Sequence, residues 1–296
     1  MRNSFLEKLT EFSVHNSKTF LVVADLGFSV IEGFIASCPN QFVNIGVAEQ
    51  NMVGFAAGLA SEGAKVFTYS IANFPTFRCA EQIRNDVVYH ELDVTTVSVG
   101  AGLSYGPLGY SHHAIEDLCL MRSFYNMRVY TPSNIEMMKL QCLDIFSCHG
   151  PKYLRLSKDG YDQINVFDLD NNIVTWRANK SSRNAIIVCI GNTLQEGMGL
   201  SMQLGGAQVI SPLYWNTSDD KYWIDKLIDF NNIYTLEDHK KNGGFGSHLL
   251  EQINAHPSWK GKVINLGYGN EIIGMVGNEK TIRKHVGFGQ LTQQGS

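Results

Sequence analysis

The chain has 296 residues, enough for two domains, and its 44% apolar and 18% charged content is typical of a soluble globular protein with a full core. A formal net charge of -4 without a basic arm gives no reason to expect nucleic acid or an anionic membrane as a partner. The first residues include no long apolar stretch, so we expect neither a signal peptide nor a membrane anchor, and we expect a cytoplasmic location.

Cysteine and histidine spacings predict no metal ligands in this chain. The six cysteines form no CxxC pair and the nine histidines show no zinc spacing, so reduced cysteines in the core are the favoured interpretation. His112 and His113 are adjacent, and in a helix they would point about 100° apart, which suits no shared metal.

The first half of the chain alternates short β-branched runs with helical patterns, after an N-terminal helix. Strands are predicted at 20–24, 65–68, 94–99, 128–131 and 153–156, and helices near 47–61, 79–90, 112–123 and 134–148. This alternation predicts a parallel sheet with helices on both faces.

The second half repeats the pattern after a polar, turn-rich stretch at 158–184. Its strands are predicted at 185–190, 207–210, 232–236 and 262–266. The predicted fold class is therefore α/β with two domains, each a mostly parallel sheet with helices on both faces. We place the domains at 1–165 and 180–288, with a linker at 166–179 and a disordered tail at 289–296.

One carboxylate, Glu49, lies in an otherwise small and apolar segment at 44–60 that is predicted to be helical. A buried acid without a charge partner has a raised proton affinity and can exchange a proton near neutral pH. The alternative is an ordinary exposed helical glutamate, but the small apolar neighbours favour burial.

A glycine-rich loop that starts at Gly100 leads into the histidine pair. Ser111 caps the predicted helix that begins at His112, and a helix N-terminus disfavours the imidazolium. We therefore expect a neutral His112 that can relay protons. A capping or surface role is the alternative, and His113 is expected to be structural.

These two segments, together with residues 70–84, which end in Glu-Gln-Ile-Arg, resemble the pyrimidine-binding half of transketolase, a thiamine-diphosphate enzyme. The resemblance runs from Arg2 into the C-terminal domain but covers only the C-terminal half of a full transketolase. The family's Gly-Asp-Gly metal-diphosphate signature does not occur in the sequence. The resemblance therefore implies a split enzyme, in which a separate N-terminal subunit holds the diphosphate and Mg²⁺ or Ca²⁺. The two subunits would form an α2β2 assembly that acts on sugars.

For the cofactor, thiamine diphosphate, the resemblance implies that Glu49 bonds the pyrimidine N1′ and that Phe74 stacks on the aminopyrimidine ring. Phe77 is the register-shifted alternative to Phe74. Asp25, in Ala-Asp-Leu at a strand end, would lie near the thiazolium ring. The cofactor would act as electron sink while a two-carbon ketol unit moves from a ketose to an aldose.

For the substrate, the resemblance places His112 at the sugar and Arg2, Ser29 and Lys158 at the sugar phosphate. Lys158 stands where the family has an arginine, so it keeps the charge but loses the bidentate fork.

Two loop positions depart from the family, because transketolases commonly have a histidine at the place of Gly100 and an aspartate at the place of Leu108. A substrate hydroxyl facing Leu108 would be desolvated without a partner, at a cost of about 1–3 kcal/mol. We therefore expect a deoxy, keto or nucleotide-linked sugar as acceptor. The alternative is loop drift, with a neighbouring side chain or the partner subunit restoring the contact.

Two other functions remain open. The β subunit of a 2-oxo acid dehydrogenase shares this domain order, although Gly-Tyr-Ser-His-His-Ala-Ile-Glu-Asp is more similar to transketolase. The chain could also be a non-catalytic scaffold for an active partner, and the joint presence of Glu49, Phe74 and His112 argues against that.

Overall fold

A computed structural model describes residues 1–158, 164–178, 184–257 and 259–291, which contain two six-stranded sheets. The strands of the first sheet are β1 (Thr19–Val23), β2 (Phe42–Asn44), β3 (Lys65–Ile71), β4 (Val94–Val99), β5 (Arg128–Tyr130) and β6 (Lys152–Leu156). They pair in the order β2-β1-β3-β4-β6-β5, and every pairing is parallel. Each residue of the central strand β4 is buried, as expected for a β-branched strand covered on both faces.

Helices cover both faces of this sheet. They are α1 (Arg2–Val14), α2 (Glu32–Ser37), α3 (Glu49–Ser61), α4 (Asn73–Phe77), α5 (Ala80–Gln82), α6 (Asp117–Met121) and α7 (Ile135–Ser147). The α3 side chains Met52 and Val53 pack in one core cluster with Val66, and Phe5 of α1 packs in the other with Phe67. Successive residues of β3 thus contribute to opposite layers, as the strand period of two requires.

The second sheet is built from β7 (Asp168–Asp170), β8 (Ile173–Arg177), β9 (Ala185–Ile190), β10 (Gln208–Pro212), β11 (Asn232–Lys240) and β12 (Lys262–Tyr268). The order is β12-β11-β9-β10-β8-β7, and only the pairings that involve β7 and β8 are antiparallel among the described strands. Its helices are α8 (Leu194–Gln203), α9 (Asp220–Leu227), α10 (Phe245–Ile253) and α11 (Glu279–His285). The predicted fold class is confirmed.

Part of the predicted connection is a hairpin. Residues 168–177, which lie in the predicted linker, form β7 and β8 at the edge of the second sheet. Asn171 and Asn172 have φ of 47° and 63°, the backbone of a two-residue turn that asparagine tolerates. The predicted domain boundary at 180 and the tail from residue 292 onward lie outside the described residues.

Two predicted helices differ from the observed ones. The helix predicted from His112 is wrong at its start: Tyr110–His112 form a 3-10 turn and α6 begins only at Asp117. The helix predicted at 79–90 is a short α-helical turn followed by a π-helical segment, Ile83–Val88. In the part of the chain that the structure describes, no helix combines the length and the apolar character needed to span a membrane.

A buried arginine fixes the base of the glycine-rich loop. The Arg155 guanidinium donates to Asp117 at 2.7 Å and to the Ala114 carbonyl at 2.6 Å, and it also contacts the Asp238 carboxylate of β11. Asp238 lies so close to Gly102 that a Cβ on that glycine would be 2.8 Å from the carboxylate. The second sheet therefore holds the loop that carries His112.

Candidate active site

The candidate residues of the first sheet lie where its strands end. Asp25 follows β1, Glu49 opens α3 after β2, Phe74 opens α4 after β3, and His112 belongs to the loop after β4. The carboxyl ends of parallel strands meet at one edge, which is the usual ligand side of such sheets. The fold therefore places four residues that are far apart in the sequence at the same edge of the sheet.

Glu49 is buried but paired. Its side chain is 6% exposed, and Arg78 Nη1 lies 3.1 Å from each of the two carboxylate oxygens. The expectation that this acid lacks a charge partner is therefore wrong. Arg78 follows Phe74 by four residues, the spacing of neighbours on one helix face, but nothing in the sequence indicated that this side chain turns back to α3.

Phe74 lies between a cation and an imidazole. The guanidinium carbon of Arg78 is 4.4 Å from the ring centroid, within cation–π distance. The His112 ring meets the Phe74 ring edge-on, with centroids 5.5 Å apart and an angle of 69°. Phe77, the register-shifted alternative, is 46% exposed and lines a surface groove together with Phe74 and Arg78.

His112 is oriented by its neighbours rather than by a helix end. Its Nδ1 lies 2.9 Å from the Ser111 hydroxyl, and the Asn73 amide donates to the Ser111 and His113 carbonyls at 3.1 and 2.9 Å. Because the expected capped helix does not begin at His112, its argument for a neutral imidazole does not apply. His113 is buried with Nε2 3.2 Å from the Gly106 carbonyl, as expected for a structural residue.

Asp25 is an exposed residue in a left-handed conformation, with φ of 53°. Asn44 holds it from both sides, because the Asn44 side chain accepts from the Asp25 amide at 3.0 Å and donates to the Asp25 carboxylate at 3.2 Å. Asn44 was not singled out from the sequence. The pair fixes a carboxylate at the end of β1, beside the start of α3.

The structure connects the three residues expected at the sugar phosphate to different neighbours. Burial raises the pKa of the Tyr69 phenol. The Arg2 charge acts against this shift, whereas Tyr105 adds to it. The Lys158 amide donates to Ser104 at 3.4 Å, next to Tyr105. Ser29 is exposed with φ of 68° and donates its amide to Glu32 at 2.7 Å.

Tyr105 fills the space that a side chain at Gly100 would need. A Cβ on Gly100 would lie 2.3 Å from two carbons of the tyrosine ring, and Gly100 has φ of 96°. The ring also faces His112, with centroids 6.4 Å apart. Leu108 is 56% exposed on the same loop. A neighbouring aromatic residue thus replaces the missing side chain, which sequence reasoning did not identify.

Cys79 packs behind the site and carries no charge. Burial raises the pKa of its thiol to about 12, and the nearby Glu49 carboxylate acts in the same direction. The thiol donates to the Phe74 carbonyl at 3.7 Å. Because a protonated thiol is a poor nucleophile, we assign Cys79 a structural role.

Comparison with known proteins shows which family the sequence is similar to. The sequence profile of the transketolase pyrimidine binding domain matches residues 1–163. The chain is 31% identical to a subunit of the apulose-4-phosphate transketolase of Actinobacillus succinogenes, over 90% of this chain and 87% of that protein. It is 26% identical to a subunit of the 6-deoxy-6-sulfo-D-fructose transketolase of Clostridium sp. strain MSTE9, over 85% and 80% of the two chains.

Solved structures agree with the sequence relatives. A split gene transketolase, described as an inactive beta4 tetramer, has a TM-score of 0.82 and 26% identity, and the match covers 97% of this chain and 93% of that one. The transketolase of Campylobacter jejuni has the same fold, with a TM-score of 0.78 and 15% identity, and the match covers 97% of this chain but only 44% of that one. The chain therefore belongs to the transketolase family and corresponds to the subunit of a split enzyme that carries the pyrimidine-binding domain.

Proposed function

We propose that this chain, together with an N-terminal partner subunit, transfers a two-carbon ketol unit from a ketose to a sugar acceptor with thiamine diphosphate as cofactor. The observation that carries the proposal is the meeting of Glu49, Phe74 and His112 at one sheet edge, with the Phe74 and His112 rings in contact. Relatives matched over most of their length are named transketolase subunits, which supports the need for a partner.

The residues present fit the aminopyrimidine end of the cofactor. A buried carboxylate and a half-buried aromatic face are spaced so that one planar cation, the Arg78 guanidinium, contacts both. A planar heterocycle with a ring nitrogen has the shape and polarity for the same two contacts. When bound, thiamine diphosphate supplies the carbanion chemistry of the transfer.

In this proposal Glu49 holds a proton at the pyrimidine N1′ and Phe74 orients the ring. His112 moves a proton at the sugar, and Asp25 lies on the thiazolium side. Arg2, Ser29 and Lys158 bind a sugar phosphate. We assign the diphosphate and its Mg²⁺ or Ca²⁺ to the N-terminal subunit and expect an α2β2 assembly in the cytoplasm.

We further propose a deoxy, keto or nucleotide-linked sugar as acceptor. Tyr105 and Leu108 give the loop an aromatic and an apolar group near His112. The loop-drift alternative is also supported, because the Tyr105 hydroxyl could restore one polar contact.

The test uses the purified two-subunit complex with a donor and acceptor panel. Hydroxypyruvate and ketose phosphates are expected to serve as donors, whereas activity only with branched or linear 2-oxo acids would establish the dehydrogenase alternative. Glu49→Ala is expected to abolish turnover, with Glu62→Ala, at the other end of α3, as the control. Unchanged turnover in Glu49→Ala would show that the chain is a scaffold.

A further inference from the structure

Arg78 makes both of the contacts that the proposed function assigns to the aminopyrimidine ring. It bonds the two oxygens of Glu49 at 3.1 Å and lies over the Phe74 ring at 4.4 Å. We infer that Arg78 occupies the aminopyrimidine half-site of the cofactor-free protein, alone or with its partner subunit, and is displaced when the cofactor binds. This inference rests on the proposed function, because it takes Glu49 and Phe74 as the cofactor's contacts.

The shape of the surface supports this position for Arg78. A groove of about 420 Å³ is lined by Phe74 and Phe77, and a second groove of about 520 Å³ is lined by Glu49 and Gln50. Arg78 is the residue that lines both grooves. Its side chain is therefore the wall between the carboxylate and the aromatic face, and its departure joins the two spaces.

The chemistry explains why an arginine stands there. Glu49 is nearly buried, and an ionised carboxylate without a partner in such a place is unfavourable. The guanidinium is planar, donates hydrogen bonds and stacks on aromatic rings, so it satisfies both residues in the way a protonated heterocycle would. Arg78 thus keeps the half-site in a paired state until a ligand arrives.

The same contacts are weak enough for a ligand to replace. The Arg78 side chain is 52% exposed, and both exposed ion pairs and exposed cation–π contacts contribute little in water. The cofactor binds only the open form, in which Arg78 has left the half-site. Its apparent Kd is therefore the intrinsic Kd divided by the fraction of subunits in the open form. We therefore expect the arginine to weaken cofactor binding without preventing it.

The experiment measures thiamine diphosphate affinity of the two-subunit complex by isothermal titration in the presence of Mg²⁺. Arg78→Ala is expected to lower the apparent Kd about tenfold, because the half-site is then open in nearly all subunits. The melting temperature of the unliganded subunit is expected to fall at the same time, since Glu49 loses its partner. Arg84→Ala, which removes an exposed arginine that donates to Asn85, is expected to change neither.

The outcomes separate this inference from the proposed function. An unchanged or weaker Kd in Arg78→Ala overturns the inference, because the arginine would then be inert or a direct ligand. Arg78→Gln, which keeps a planar donor, is the second variant if the alanine subunit does not fold, and it is expected to shift the Kd in the same direction. If Glu49→Gln and Phe74→Ala both leave the Kd unchanged, the proposed cofactor contacts themselves are wrong.

Discussion

Arg155 of β6 in the first sheet and Asp238 of β11 in the second sheet form an ion pair whose two side chains have no exposed surface. Asp117 completes the arrangement from the loop side, and its carboxylate also accepts from Tyr153 at 2.6 Å. The loop that carries His112 is thus held by charges from both domains. The presence of such a buried pair is weak evidence for added stability, because desolvation of the two charges offsets their attraction, but removing one partner leaves the other charge buried.

The first prediction concerns this pair. Asp238→Ala is expected to lower the free energy of unfolding by about 3–5 kcal/mol, because it leaves part of the Arg155 charge buried without a partner. Asp170→Ala, which removes a carboxylate from the exposed pair with Lys226, is expected to cost less than about 1 kcal/mol. Urea denaturation of the purified subunit measures both values. If both variants lose less than about 1 kcal/mol, Asp117 alone is enough to neutralise the buried Arg155 charge.

The second prediction is a pH dependence of stability. Burial raises the pKa of Glu237 to about 7, although the Phe245 and Gly246 amides donate to its carboxylate. Between the unfolded pKa of a glutamate and the folded pKa of about 7, folded Glu237 keeps a proton that the unfolded chain releases. The free energy of unfolding therefore falls as pH rises through this range, by about 3 kcal/mol in total. Glu237→Gln removes that cost.

The melting temperature of Glu237→Gln relative to the unchanged protein is therefore expected to increase from about pH 5 to pH 8. Glu251 is the matched control, because the Arg122 hydrogen bond lowers its pKa. Its contribution is present above the unfolded pKa and is lost as pH falls through the folded pKa, so the Glu251→Gln difference is expected to stay nearly constant from about pH 5 to pH 8 and to shrink only at lower pH. A pH-independent difference for Glu237→Gln would contradict the buried, protonated carboxyl.

Much of the fold was predictable because its signals are local. The run Val94–Val99 reads as a buried strand, and the structure places β4 at those residues. The β7–β8 hairpin was missed because Asn171 and Asn172 favour turns of any kind, and only the antiparallel pairing of β7 with β8 shows that the turn closes a hairpin.

The residues of the candidate site could be predicted from the sequence, but the contacts that Arg78 and Tyr105 make with them could not. Glu49, Phe74 and His112 follow three different strands and meet at one edge of the sheet. The Arg78–Glu49 pair joins residues 29 positions apart, a separation with no periodic signal. The Tyr105 ring against Gly100 likewise depends on the path of the loop and not on residue spacing.

The third prediction tests the Gly100–Tyr105 contact. Gly100→Ala places a Cβ against the ring, so Tyr105 has to move and the acceptor KM is expected to rise about tenfold. Gly63→Ala is the control, since Gly63 also has a positive φ, 83°, but has open space around its Cβ position. Adding Tyr105→Gly to Gly100→Ala is expected to relieve the clash, so that the two effects on melting temperature are not additive. Strict additivity would mean that only the backbone conformation of Gly100 matters.

The fourth prediction concerns His112. His112→Ala is expected to lower kcat about 10²–10⁴-fold, because it removes the proposed proton relay at the sugar. The affinity for thiamine diphosphate should change little, since the two proposed cofactor contacts, Glu49 and Phe74, are unaltered. Ser111→Ala removes only the hydroxyl beside Nδ1 and is expected to have a much smaller effect on kcat. A loss of cofactor affinity equal to the loss of kcat would make His112 a residue that positions Phe74.

The last prediction decides the acceptor class. Leu108 is 56% exposed, so Leu108→Asp buries no charge and is expected to leave the melting temperature unchanged. An aspartate there can accept a hydrogen bond from an acceptor hydroxyl, a contact of about 1–3 kcal/mol, and kcat/KM for ribose 5-phosphate is expected to rise about tenfold. The same variant should be slower with deoxy or keto acceptors, which would meet a desolvated carboxylate. Leu143→Asp, an exposed leucine of α7, is the control for an added charge. If the unchanged protein already prefers ribose 5-phosphate and Leu108→Asp does not improve it, the loop selects an ordinary aldose phosphate through another residue, with Tyr105 as the first to test.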